Sequence, residues 1–179
     1  MDITTRIGNI QDLYEAQVNQ MVAKRALPEV VAYLFKNRGP DQAKQDLRDI
    51  ASTITKRLLL VWLPRSRKPF NVIKEMMQVF FGNKKIKGKV LERLNGKPSK
   101  IAIRDYNCPI CSDKKGEEVI ISGIHYCVPV SGAMEAVLTY LIENKLAPFT
   151  KVNCETVKSI GSGDTYCEHI LTLEYGTEV

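Results

Sequence analysis

The sequence predicts an α+β fold, in which N-terminal helices pack on a mostly antiparallel sheet with one further helix. The spacing of apolar residues changes from a period of 3.6 to a period of 2 near residue 84. Short β-type segments then alternate with turn signals such as Asn95-Gly96. With 179 residues, we expect a single domain over residues 1–179, made of a helical part (1–83) and an α+β part (84–179).

The front of the chain predicts helices separated by proline and glycine. We expect a helix over residues 9–37 that is broken or kinked at Pro28, a stop and restart at Gly39-Pro40, and a basic linker over residues 64–69. A further helix is expected over residues 70–81. The strongest helical period is that of Leu47, Ile50, Ala51, Ile54, Leu58 and Val61.

The back of the chain predicts two hairpins around one helix. Ile86, Gly88 and Val90 alternate with lysines, as in a strand with one solvated face, and a second strand follows Asn95-Gly96. An apolar stretch covers residues 118–124. We expect Ser131 to cap a helix that runs to residue 144. Two last strands are expected over residues 150–160 and 165–173.

The composition describes a folded chain, with 44% hydrophobic and 26% charged residues. The first six residues lack the basic start and apolar run of a signal peptide. The longest unbroken apolar run, residues 58–63, is too short to span a bilayer. We therefore expect a cytoplasmic protein without a membrane span.

Charge divides the chain into a basic front and an acidic back. Residues 1–107 contain 21 Lys/Arg and 10 Asp/Glu, whereas residues 108–179 contain 5 and 10. All five cysteines lie in the acidic part: Cys108, Cys111, Cys127, Cys154 and Cys167. In a reducing compartment, such a cluster indicates free thiols or metal ligands rather than disulfides.

The spacing of the cysteines favours a metal site. Cys108-Pro-Ile-Cys111 is a thiol pair at the spacing of a zinc knuckle, and Cys127 lies just before a predicted helix, where a thiolate is favoured. A hairpin can bring Cys154 and Cys167 together. A zinc ribbon completed by His125 and Cys127 is an alternative, although this spacing is unusual. A lone histidine is more often a core or surface residue, and we favour that interpretation for both His125 and His169.

A further pattern begins with Cys127-x4-Gly132, continues through a helix and a Val-rich strand, and ends with Gly163-Asp164-Thr-Tyr-Cys167-Glu. Over residues 105–175 the chain resembles the 4-vinyl-reductase-type domain. This domain binds small molecules in archaeal proteins called hydrocarbon-binding and in phenol-sensing transcription activators. Its fold relatives include subunits of the TRAPP trafficking complex and haem-based nitric-oxide sensors. The Cys108–Cys111 pair also looks like the archaeal pattern.

The resemblance implies a zinc site that includes Cys127 and Cys167. The family's strand ligands, a Glu and a Cys, correspond to Thr156 and Ser159 here, so the remaining ligands are expected from Cys154 and one or both of Cys108 and Cys111. The resemblance also implies that the protein binds a small hydrophobic molecule, has a sensory or carrier role, and forms a homodimer. No catalytic residues are predicted, and no Gly-x-Gly-x-x-Gly cofactor motif is present.

Two other functions stay open: a zinc-dependent regulatory protein that binds nucleic acid, and a reductase-like enzyme acting on a vinyl or tetrapyrrole substrate. The nucleic-acid interpretation rests on the basic residues between 65 and 100. We favour a solvated, lysine-rich edge strand instead, because residues 84–100 contain no stacking aromatic side chain. The Phe/Met-rich helix over residues 70–81 is expected to be core or dimer interface, or to line an apolar pocket.

Overall fold

The computed structural model describes residues 27–83, 85–108, 110–111 and 125–176. In these residues three helices accompany a four-stranded antiparallel sheet, which confirms the predicted α+β fold class. The helices are α1 (Leu27–Leu58), α2 (Pro69–Phe81) and α3 (Val128–Glu143). The strands are β1 (Ile86–Leu94), β2 (Lys97–Asp105), β3 (Lys151–Lys158) and β4 (Cys167–Glu174), in the order β1-β2-β4-β3.

The helical front follows the sequence signals. Helix α1 is interrupted at Gly39, whose φ of 75° and ψ of 169° are not helical, and Pro40 restarts it, as predicted. Helix α2 begins with Pro69 and ends at Gly82, which adopts the left-handed conformation of a helix C-cap. The part of the predicted first helix before residue 27, and the apolar stretch over residues 118–124, lie outside the described residues.

The β1–β2 hairpin also forms where it was predicted. Asn95 and Gly96 both have positive φ angles, 50° and 78°, as a two-residue turn of this type requires. The register pairs Lys87 with Arg104, and β2 then pairs with β4 so that Arg104 lies opposite Glu168. The side chains of each strand therefore alternate between the two faces of the sheet. Helices pack on one face, and α3 does not cover the other.

Helix α3 begins four residues earlier than the sequence suggested. The predicted cap, Ser131, lies within the first turn, where its hydroxyl donates a hydrogen bond to the carbonyl of Val128 at 2.8 Å. Cys127 occupies the N-cap position instead, and its carbonyl accepts the N–H of Val130 at 2.9 Å. The proline in the first turn explains the shift, because proline is well accommodated there.

Helices α1 and α3 cross at very close range. A Cβ added to Gly132 would lie 2.9 Å from both the Cα and the carbonyl oxygen of Arg48, so only glycine fits this crossing. Arg48 then reaches past α3 and donates to the carbonyl of Cys154 at 2.6 Å and to the carboxylate of Glu135 at 2.7 Å. The same Glu135 carboxylate accepts the N–H of Cys154 at 2.7 Å. One ion pair thus joins α1, α3 and β3.

The buried core draws on both parts of the chain. Met76 and Met77 of α2 are fully buried, so these methionines are core residues. The described core unites apolar side chains of all three helices and of the sheet, among them Leu47, Ile73, Ile103, Leu138 and Leu171. No described helix is long and apolar enough to cross a membrane.

We predict that Gly132→Ala lowers the free energy of unfolding by about 1–3 kcal/mol, because the added methyl group must push two backbones apart. Urea denaturation followed by circular dichroism measures this change. Gly176→Ala is the matched control, since its Cβ would meet only a Thr150 methyl group at 3.4 Å. Equal stability of the two variants would contradict the close crossing.

Candidate metal centre

Four of the five cysteine thiols meet at one buried point. The sulfur atoms of Cys108, Cys111, Cys127 and Cys167 all lie within 4.8 Å of one another, and all four residues are fully buried. They come from three places in the chain: the loop after β2, the N-cap of α3 and the first residue of β4. The four thiols can act together as ligands.

The loop after β2 is held in place by a buried carboxylate. Asp105, at the end of β2, accepts the N–H of Asn107 at 2.9 Å and the side-chain amide of Asn83 at 2.7 Å. Cys111 then donates its N–H to the carbonyl of Cys108 at 3.1 Å, which closes the turn between the two thiols. Burial raises the pKa of Asp105, and the two hydrogen bonds oppose this shift.

The β3–β4 connection brings Cys167 to the cluster. The carboxylate of Asp164 accepts the N–H of Ser159 at 2.8 Å and folds the connection back, with Gly163 in the left-handed region at a φ of 96°. The N–H of Ile160 then donates to the Cys167 sulfur at 3.4 Å. This hydrogen bond holds the Cys167 sulfur in position at the cluster.

Ser159 lies next to the thiol cluster. Its buried hydroxyl lies 3.3 Å from the Cys111 sulfur. The resemblance placed a family cysteine at residue 159, and a side chain at that position does reach the cluster. Thr156, at the family's glutamate position, donates instead to the carbonyl of Cys127 at 3.4 Å and ties β3 to the start of α3.

The electrostatics of the cluster favour binding a cation. Hydrogen bonds from the thiol of Cys108, and then from those of Cys127 and Cys167, hold the pKa of the Cys111 thiol far below its usual value. The hydrogen bond to Cys111 raises the pKa of Cys108, and burial raises that of Cys127. Burial opposes charging all four thiols at once, so a bound cation would stabilise the thiolate forms.

The donor set fits a tetrahedral divalent ion. Four thiolates around zinc at about 2.3 Å place their sulfur atoms about 3.8 Å apart, which is within the observed upper limit of 4.8 Å. Four sulfur ligands fill a tetrahedral shell and leave no position for water. The geometry is compatible with a closed, structural metal site.

Cys154 lies outside this cluster. It pairs with Leu171 in the sheet, four residues along β4 from Cys167, which corresponds to about 13 Å of strand. Its sulfur is fully buried and lies 3.9 Å from that of Met134, and burial raises the pKa of its thiol. The hairpin thus places Cys154 and Cys167 on one face of the sheet without bringing their sulfur atoms together.

Neither histidine belongs to the four-sulfur group. His125 contacts the hydroxyl of Ser162 through Nδ1 at 3.3 Å. His169 is fully buried on β4, two residues from Cys167, and its Nδ1 lies 3.0 Å from the hydroxyl of Thr156. Within the described part of the chain its Nε2 has no hydrogen-bond partner, and burial lowers the pKa of His169 to about 4.

The supporting residues were only partly visible in the sequence. Asp105 was not predicted to support the site, although Asp-Tyr-Asn directly before a cysteine is typical of a turn in which the Asp side chain binds the backbone two residues on. Asn83 carried no such signal, because its contact with Asp105 joins residues 22 positions apart.

We predict that Cys108→Ser and Cys167→Ser each reduce the bound metal well below one ion per chain and destabilise the fold, because each removes one of four ligands. Cys154→Ala, which truncates the fifth cysteine, is expected to keep the full metal content. Elemental analysis together with thermal unfolding checks both statements. Metal loss in Cys154→Ala equal to that in Cys167→Ser would overturn this four-residue site.

Comparison with known proteins supports the fold. No family model and no curated protein matches this chain. Among solved structures, the chain is similar to a trafficking protein particle complex subunit 3 from Naegleria fowleri, described as covalently bound to palmitic acid, with a TM-score of 0.61 and 18% identity. The match covers 91% of this chain and 99% of that one. The chain therefore has a TRAPP-like fold, as the resemblance implied, while the 4-vinyl-reductase family stays a prediction.

Proposed function

We propose that this protein is a zinc-containing binding protein for a small hydrophobic molecule, with a sensory or carrier role and the domain plan of the 4-vinyl-reductase type. The observation that carries the proposal is an apolar cavity of about 580 Å³ between the start of α2 and the β1–β2 hairpin. Cavities of this size hold drug-sized ligands.

The cavity walls are mainly apolar. They are formed by residues of the 67–71 segment, both strands of the hairpin, Pro148 and Tyr175, and include Phe70, Val90, Pro98 and Ile101. Gly88 makes room for one wall, because a Cβ there would lie 2.5 Å from the ring of Phe70. Apolar walls favour an apolar ligand, because the hydrophobic effect favours the transfer of apolar surface out of water.

The segment that opens α2 is fixed from within the helix. The carboxylate of Glu75 accepts the N–H groups of Arg65 and Ser66 at 2.7 and 3.1 Å. The wall formed by residues 67–71 is therefore anchored before a ligand binds, which lowers the entropic cost of binding.

The fold neighbour supports this class of ligand, since it is described as covalently bound to palmitic acid. The described lining of the cavity contains no cysteine, so no thiol is available there to form a thioester with a fatty acid. Zinc is the proposed occupant of the four-thiol cluster because it accepts four thiolates in a tetrahedral shell. Five free thiols are consistent with the proposed cytoplasmic location.

We predict that Val90→Trp weakens binding of a fluorescent palmitate analogue at least about tenfold, or about 1.4 kcal/mol, because the indole fills the cavity. Val90 is partly exposed and lines the cavity, so the fold tolerates the larger side chain. Fluorescence titration measures the affinity.

Val79→Trp is the matched control, since Val79 is exposed on α2 and does not line the cavity. This variant should bind the analogue as tightly as the unchanged protein. If Val90→Trp also binds with unchanged affinity, this cavity is not the ligand site.

A homodimer is the second part of the proposal, and an exposed apolar stripe on α1 supports it. Ile50, Ile54 and Leu58 follow one another at intervals of four residues, and Ile54 is 55% exposed. Val61, just beyond the helix, is 86% exposed. A contiguous apolar patch of this kind is typical of a protein interface.

We predict that Ile54→Glu converts a dimer of 20.2 kDa chains into monomers, because it buries a charge in an apolar interface. Light scattering after size exclusion at several concentrations measures the mass. Thr53→Glu adds the same charge at a neighbouring exposed position on α1 and should remain dimeric. An unchanged protein that is monomeric throughout the concentration range contradicts the dimer.

A further inference from the structure

A row of charged side chains crosses the sheet on the face opposite the metal centre. The register places Lys87 opposite Arg104, Arg104 opposite Glu168, and Glu168 opposite Lys158, one residue from each strand. Their sequence neighbours Asp105 and Cys167 point to the buried face. This outer row is distinct from the cavity and from the thiol cluster.

Two tyrosines stand beside this row, and the sequence separates them by 60 residues. The rings of Tyr106 and Tyr166 have centroids 5.3 Å apart. The Lys87 ammonium lies 5.2 Å from the centre of the Tyr106 ring, and Arg104 lies 5.2 Å from that of Tyr166. Aromatic side chains therefore alternate with cations on this face. Residues 84–100 alone contain cations but no aromatic side chain.

The tyrosines differ in what they leave open to solvent. Tyr166 is held between Arg104 and Lys158, whose ammonium also donates to the tyrosine oxygen at 3.3 Å. Tyr106 is 47% exposed and offers ring surface at the end of the row. Tyr106 is thus the side chain on which an external planar group can stack.

The β1–β2 hairpin extends this surface with positive charge. Residues 86–105 contain six Lys/Arg and two Asp/Glu, and the carboxylate of Asp105 is buried away from this face. Lys85, Lys87 and Lys89 are exposed at alternate positions. Alternate residues of a strand lie about 6.6 Å apart, which is comparable to the separation of successive phosphates along an extended nucleic-acid strand.

We propose that the outer face of the β1–β2 hairpin, with Lys87, Lys89 and Tyr106 at its centre, binds single-stranded nucleic acid. The lysines neutralise the phosphates and Tyr106 stacks on a base, the two contacts that proteins combine on single strands. A single strand offers both an anionic backbone and open base faces, whereas a duplex hides its base faces from stacking. The interleaved ring therefore favours a single strand.

The test uses the full chain and a fluorescein-labelled oligothymidine of about 12 nucleotides, with binding followed by anisotropy at several salt concentrations. Lys87→Gln/Lys89→Gln is expected to weaken binding at least about tenfold and to reduce the slope of log K against log salt by about 1.4. Lys36→Gln/Lys74→Gln is the matched control, because it removes the same charge from exposed positions on α1 and α2. It should leave affinity nearly unchanged.

Tyr106 separates base stacking from simple attraction between charges. Tyr106→Ala should weaken binding at least about fivefold, whereas Tyr106→Phe, which keeps the ring, should retain it. Circular dichroism confirms that each variant folds. The proposal is overturned if both lysine double variants lose affinity equally, or if a duplex of the same length binds with equal affinity. Equally effective competition by polyglutamate, or no binding by the unchanged protein, would also overturn it.

Discussion

Four buried thiols at one point impose the strongest constraint on this fold. They join a loop that follows β2, the first turn of α3 and the first residue of β4, three segments that are distant in sequence. Without a cation, burial limits how many of the four thiols can be charged at once. A divalent ion would remove this limit and supply free energy comparable to the stability of a small domain.

The thiol cluster lies beside the crossing of α1 and α3. Cys127 caps α3 and faces the cluster, and Gly132, five residues further along the helix, lets α3 lie close against α1. Arg48 and Glu135 then hold β3 against the same helix through the backbone of Cys154. Such a partly buried ion pair is well satisfied, since each charge has more than one hydrogen-bond partner.

Local signals predicted the elements well but not the contacts between them. The hairpin turn at Asn95-Gly96 and the helix end at Gly82 each depend on a few adjacent residues, and both were correct. The start of α3 was wrong because Ser131 bonds within its own turn. Cys154 is separate from Cys167 because the β3–β4 register pairs Cys154 with Leu171. An alternation of side chains with a period of 2 predicts a strand but does not determine this register.

The same limit explains why the aromatic residues of the basic surface were missed. Tyr106 and Tyr166 become neighbours only because β2 pairs with β4. The hairpin then has two chemical faces: Val90 lines the cavity, while the adjacent Lys89 points to solvent. Because successive side chains of a strand point to opposite faces, the cavity and the outer surface use different side chains of β1. The close contact between Gly88 and the Phe70 ring fixes the packing on the cavity side of β1, because any side chain larger than that of glycine at residue 88 would overlap the ring.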